Sequence, residues 1–156
     1  MLSIMESKDE LREQERVAQR AEAAPYVDYP STPWWYMPAM GLWALVATVV
    51  MTRHDNPQAV RICGEVALIG AAFALVGWQR RIRGVWPTGK APAEIRRVMG
   101  WFIVGAVVVI AAVLGVRAWL GVWVAASVAF VIVTAAVTWY EAAYARAAAA
   151  VRERLA

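Results

Sequence analysis

Trp78–Met99, WQRRIRGVWPTGKAPAEIRRVM, is the one long polar interruption in a body that is otherwise apolar from residue 33 to residue 146. It sets Arg80, Arg81, Arg83, Lys90, Arg96 and Arg97 against a single acid, Glu94. The apolar segments on either side are each long enough for membrane helices, so the stretch reads as a basic loop, 79–97, that divides the chain into two hairpins. A loop of this charge also sets sidedness, because Lys and Arg beside membrane helices stay on the cytoplasmic face. Contact with anionic lipid headgroups is a further expected role for these six residues.

Working outward, the segment before the loop, about 60–78, is the second of four expected spans, and the segment after it, about 98–116, is the third. Arg61, Cys63 and Glu65 lie inside the second span. An ionisable group in a span is costly, and it faces the bundle interior, a partner charge or water. Glu65 is about one and a half turns into its helix, with Arg61 four residues earlier on the same face. Arg117 marks the end of the third span, which makes Glu65 with Arg61 or Arg117 a candidate intramembrane charge pair. Only Ala118 and Trp119 then precede Leu120 and Gly121, and a fourth span covers about 120–140. A single straight helix through both would be roughly 60 Å long, about twice the hydrocarbon core, so a tight turn between two spans is expected.

The first span is PWWYMPAMGLWALVATVVMT, residues 33–52. Counted from Trp34 it measures about 28 Å, whereas a helix starting only at Pro38 would be about 22 Å. The cluster Trp34, Trp35, Tyr36 therefore reads as an interfacial aromatic belt, with Pro38 bending the helix near its start. Trp43, at mid-span, is assigned to helix packing. The connection Arg53–Gln58 is short enough to make spans one and two antiparallel, with Asp55 or Asn56 as cap, Pro57 in the first turn and Gln58 in the capping-box position. Trp119 and Trp123 form the outer belt, and Trp78, Trp101, Trp139, Tyr140 and Tyr144 the inner one.

Two polar segments flank the four-span body (33–146): a partly helical tail, 1–32, and a helical tail, 147–156. From Ser7 to about Ala24 the tail is rich in helix formers and lacks Pro and Gly. Its charges pair locally, Asp9 with Arg12 and Glu13 with Arg16, and through Pro33 it carries seven acids against four bases. This describes a self-paired, solvated helix ended by the turn chemistry of Pro25–Thr32. At the other end, EAAYARAAAAVRERLA extends the fourth helix into the cytoplasm.

A 156-residue chain that is 61% hydrophobic with nine Trp is too apolar for a soluble domain. The net charge of +4 would suggest nucleic acid in a soluble protein. Here the charges flank membrane segments, and no nucleic-acid partner is expected. Thirteen Lys and Arg fall in the tails and central loop, while Arg53, Arg61 and Arg117 make three on the other side. That asymmetry predicts both ends and the central loop in the cytoplasm. The opening residues carry charges where a signal peptide needs its apolar region, so no cleaved targeting segment is expected, and the Ala, Val and Arg richness suggests a GC-rich bacterial or phage genome, hence a bacterial inner membrane.

Gly84–Ala91 follows the phosphate-loop pattern until Ala91 stands where a hydroxyl should meet Mg²⁺, and a membrane helix precedes it instead of a strand. Nucleotide binding is rejected on that ground. With one Cys (Cys63) and one His (His54), no metal site or cofactor is expected, and no nucleophile, base or carboxylate pair suggests catalysis. Small residues recur in the spans, and Gly70 with Ala74 and Ala111 with Gly115 are candidate contact ridges. The expected function is that of a non-catalytic membrane protein working through protein or lipid contacts. It would be an accessory or assembly subunit, or an immunity or exclusion factor, with another membrane protein or a second copy as partner. The alternative is a small oligomeric transporter or channel using Glu65.

Overall fold

A computed structural model describes residues 2–28, 32–52, 57–83 and 91–155, and these form five α-helices without a strand: α1 Leu2–Val27, α2 Tyr36–Thr52, α3 Gln58–Arg83, α4 Ala93–Leu120 and α5 Val122–Leu155. Three of them, α3 over Gln58–Leu75, α4 and α5, are long and apolar enough to cross a membrane. The fourth apolar helix, α2, has 17 residues and spans about 25 Å.

The helices are organised around α5, which packs against α2, α4 and α1, whereas α3 has α2 as its main neighbour. Antiparallel register along α2 and α3 follows from three contacts. The Trp35 ring lies 4.8 Å from that of Trp78, the Trp43 indole N–H donates to the Leu68 carbonyl at 3.2 Å, and Val50 faces Gly64. Trp43 is thus a packing residue. In Trp43→Phe the ring remains and the donor is lost, so we expect a loss of about 1 kcal/mol in the unfolding free energy measured in bicelles. A loss several times larger would mean that the indole fills space no phenyl ring can occupy.

α4 and α5 form the second antiparallel pair, with the Phe102 and Tyr140 rings 4.6 Å apart. Gly121 alone joins them. Its φ of 84° is left-handed, a conformation open to glycine, and it lets the Gly121 N–H close α4 on the Arg117 carbonyl while its own carbonyl starts α5 by accepting from Ala125. The expected tight turn is therefore one residue long.

Several boundaries differ from the sequence reading. Most of the described part of the basic loop is helical. Gln79–Arg83 contains no Pro or Gly, so α3 runs on through it, and α4 starts directly after Pro92, whose carbonyl accepts from Arg96. The near phosphate loop, 84–91, lies almost wholly outside the described residues, as do His54, Asp55 and Asn56. Pro57 precedes α3 and accepts from the Val60 and Arg61 amides with its carbonyl, a capping position instead of one inside the first turn. α2 begins at Tyr36, so Pro38 falls where helix N–H groups have no intrahelical partner and needs no bend. α1 continues through Pro25 to Val27, because proline withdraws only its own N–H and Asp28 still bonds to the Ala24 carbonyl at 2.9 Å.

The ridges of small residues are also redistributed. Gly70, Ala74, Ala111 and Gly115 are exposed, and a Cβ on Gly70 or Gly115 would meet nothing within 4 Å. Close packing uses Ala125, Ala126 and Ala129 of α5, Ala47 of α2, and above all Gly41. A Cβ on Gly41 would run into the Thr134 hydroxyl and lie 2.8 Å from the Phe130 carbonyl oxygen, so α2 and α5 touch backbone to backbone there.

Candidate functional site

The contacts place five helix ends at one end of the bundle: the C-terminal ends of α1, α3 and α5 and the N-terminal ends of α2 and α4. A junction of α1, α4 and α5 is built there. Its apolar centre is Ala23, Tyr26 and Val27 from α1, Ile95 from α4, and Tyr144, Ala148 and Val151 from α5. Ile95 and Val151 are fully buried. The α5 residues recur at the helical spacing of one face, so an extension that is otherwise Ala and Arg carries a single apolar stripe, and α1 covers it.

Polar groups complete the junction. The Tyr144 hydroxyl donates to the Tyr26 carbonyl at 2.9 Å, satisfying one of the carbonyls that a helix end leaves free. Arg152 donates to the Val27 carbonyl and has Asp28 Oδ1 3.7 Å from its Nε. Arg154 Nη1 lies 2.7 Å from Glu94 Oε1. That pair places an acid in the first turn of α4 and a base in the last turn of α5, as both helix dipoles favour. Arg20 reaches the Leu155 carbonyl at 2.6 Å. The amino-terminal helix is therefore docked at its far end, contrary to the expectation of a self-paired solvated tail, although residues 12–22 remain exposed along the rest of it.

Beside the junction a cleft of about 300 Å³ is lined by Val27, Thr32 and Met37 on one side and by α5 on the other. Val27, Met37, Ala145 and Ala148 give it apolar walls, and Thr32, Glu141 and Arg152 supply polar groups. The Thr32 hydroxyl oxygen is buried without a hydrogen-bond partner, and the Glu141 carboxylate makes no hydrogen bond or ion pair with any described residue.

No family model, curated protein or solved structure matches this chain. Its site must be read from its own geometry.

Of the residues singled out from sequence, Arg61 and Glu65 are brought together. Arg61 Nε lies 3.8 Å from Glu65 Oε1, beside the face of α3 that carries Gly64 and Leu68. Arg117 is at the same end of the bundle but on the other hairpin, and the ion pair of Glu65 is with Arg61. Both members of the pair are close to two-fifths exposed, so the contact contributes at most about 1 kcal/mol. Arg81 is exposed in the last turns of α3, whose backbone also includes Arg80 and Arg83. Arg96 and Arg97 are exposed in the first turns of α4, and Lys90 lies outside the described residues. The basic first turns of α4 adjoin the junction, whereas the basic end of α3 lies beside the start of α2. Cys63 is exposed.

Sequence reasoning missed the docking of α1 and the Glu141 cleft. The signal for the first was present in Tyr144, Ala148 and Val151, an apolar stripe that needs a cover. For the second, nothing distinguishes Glu141 from the other acids of the tails until the fold sets it beside Thr32.

Proposed function

We propose that the protein is a non-catalytic, four-span membrane protein that acts through contacts with another membrane protein, as an accessory or assembly subunit or an immunity or exclusion factor. Both chain ends and the α3–α4 connection lie in the cytoplasm, in a bacterial inner membrane. The docking of α1 carries this reading. Burial of Ala23, Tyr26 and Val27 and the bonds from Tyr144 and Arg152 hold a helix at a defined position while residues 12–22, rich in both charges, stay exposed. Such a pre-ordered charged rod binds a partner without first paying the ordering cost of a free tail.

Two observations support the membrane arrangement. α2 packs along both α3 and α5, so a bilayer crossed by those two also holds α2 at the same depth, despite its shorter length. The aromatic rings of Trp35, Tyr36, Trp78, Phe102 and Tyr140 cluster toward one end, and Trp119 and Trp123 are exposed at the other, as for the two interfaces of a membrane.

Reporter fusions at both ends and at residue 88 should read cytoplasmic. A periplasmic signal at any of them overturns the topology. Photocrosslinking residues placed singly between 12 and 22 should give one discrete adduct with a membrane protein, and the absence of a discrete adduct at every position overturns the partner reading. Against the transporter reading, Glu65 is held by its neighbour Arg61 near one end of the bundle. Purified protein in liposomes should show no ion flux that Glu65→Gln abolishes, and such a flux would replace the accessory reading with transport.

A further inference from the structure

We infer that the outward side of α1 over residues 13–22 is a docking surface for a basic amphipathic helix at the cytoplasmic face of the partner membrane protein, which deepens the accessory reading above and rests on it. Ala23, Tyr26 and Val27 mark the side of α1 that packs into the junction. Counted back along the helix at about 100° per residue, Arg12, Arg16 and Arg20 fall on that same side, and Gln14, Val17, Ala18 and Ala21 fall on the opposite one. Glu13 borders this outward strip at one margin, and Glu15 and Glu22 border it at the other. The bases of this stretch are thus turned inward and its acids outward. Residues 12–22 are exposed, Val17 at 55% of its surface. Glu13, Glu15 and Glu22 have no hydrogen bond or ion pair with a described residue.

Gln14, Val17, Ala18 and Ala21 recur at i, i+3, i+4 and i+7, the spacing with which one helix meets another. Their short side chains let a second helix come close, so the large apolar residues of the contact belong to the partner. The acids decide its charge. An acidic surface repels anionic lipid headgroups and nucleic acid, whereas the cytoplasmic margins of membrane proteins are rich in Lys and Arg. A second copy of this chain is a poorer match. Arg20 meets the Leu155 carbonyl and Arg154 meets Glu94, so Arg20, the end of α5 and the first turn of α4 share one level. Arg96 and Arg97 lie on the membrane side of that level, while Glu13 stands about 10 Å beyond it along α1. Two copies standing in one bilayer therefore do not bring these charges together.

The test is fluorescence anisotropy with the full chain in choline-phospholipid nanodiscs, whose surface carries no net charge. The probe is a labelled helical peptide with Leu at i, i+3, i+4 and i+7 and Lys at both margins. One control peptide has Glu in place of Lys, and another has the same composition in shuffled order. The Lys peptide should bind about tenfold tighter than either control. Glu13→Gln, Glu15→Gln and Glu22→Gln combined should weaken it about tenfold, as expected of three exposed ion pairs, and Arg16→Gln should leave it within about twofold. Val17→Asp separates docking from bulk charge. It adds an acid, so attraction by charge alone tightens binding, whereas loss of the apolar strip weakens it severalfold. Unchanged amide exchange over 23–27 in each variant shows that α1 stays docked. Equal binding of the shuffled peptide, tighter binding of the Glu peptide, indifference to the three Gln substitutions or tighter binding by Val17→Asp overturns the inference. A cellular adduct at 12–22 without the peptide preference removes the acidic-face assignment alone, and absence of any adduct removes the accessory reading on which it rests.

Discussion

Gly41→Val should separate α2 from α5. The Cβ alone would lie 2.8 Å from the Phe130 carbonyl oxygen, and that atom belongs to the α5 backbone, which cannot rotate away as the Thr134 side chain can. Relief requires the two helices to move apart, which removes contacts along their whole shared length. Overpacking of this kind costs about 1–3 kcal/mol, and the branched valine puts the expected value at the upper end or beyond. The measurement is reversible unfolding in mixed micelles, beside Gly105→Val, where a Cβ meets nothing within 4 Å and little change is expected. Thr134→Ala should rescue Gly41→Val only in part, since it removes the hydroxyl and leaves the carbonyl. Equal effects of the two glycine substitutions would show that α2 and α5 do not meet at Gly41.

Ile95→Ala should release α1 from the rest of the protein. Ile95 is fully buried in the cluster that also holds Ala23, Tyr26 and Val27 of α1 and Tyr144 and Val151 of α5. Truncating such a side chain costs about 2–5 kcal/mol when the site cannot collapse. The junction draws on few other buried side chains, so the loss falls on α1 docking instead of spreading through the bundle. Trypsin cleavage after Arg12, Arg16 and Arg20 should accelerate by at least tenfold, and amide exchange in 20–27 should rise with it. Arg154→Ala tests the electrostatic alternative. It breaks the 2.7 Å contact with Glu94, but the Arg154 side chain is more than half exposed, so the cost should stay within about 1 kcal/mol. If Arg154→Ala loosens α1 more than Ile95→Ala does, the junction is held by charge and the apolar centre is incidental.

These two sites mark the limit of what the chain discloses before it folds. The hairpins and the packing role of Trp43 were legible because hydropathy, segment length and loop length constrain them directly, whereas Tyr144, read as an interfacial ring, is buried in the α1 junction. The Arg61–Glu65 contact was legible too, since four residues on one helix bring two side chains together whatever the rest does. Gly41 was not, because the spacing rule for small residues selects Gly70, Ala74, Ala111 and Gly115 equally well, and only the crossing of two helices distant in sequence decides which are used. The same holds for α1. Its charges satisfy a local pairing rule, and Ala23, Tyr26 and Val27 are too few to announce an apolar face until the stripe on α5 is set opposite them.

The position of α5 in the chain has a consequence for biogenesis. α1, α2 and α4 all find a main partner in a helix that follows them, so a ribosome that has delivered α1 to α4 has produced a protein with one finished contact, the α2–α3 hairpin. In the membrane arrangement proposed above, until α5 emerges the Gly41 face of α2 and the α5-facing side of α4 would have only lipid to lie against, and the α1 core residues only water. Gly121 then ties α5 to α4 by a single residue, so in that arrangement α5 would enter the bilayer only alongside its neighbour. Consolidation of the whole fold is thereby deferred to one late insertion event, and the nascent chain depends during that delay on whatever in the membrane shields its unpaired faces.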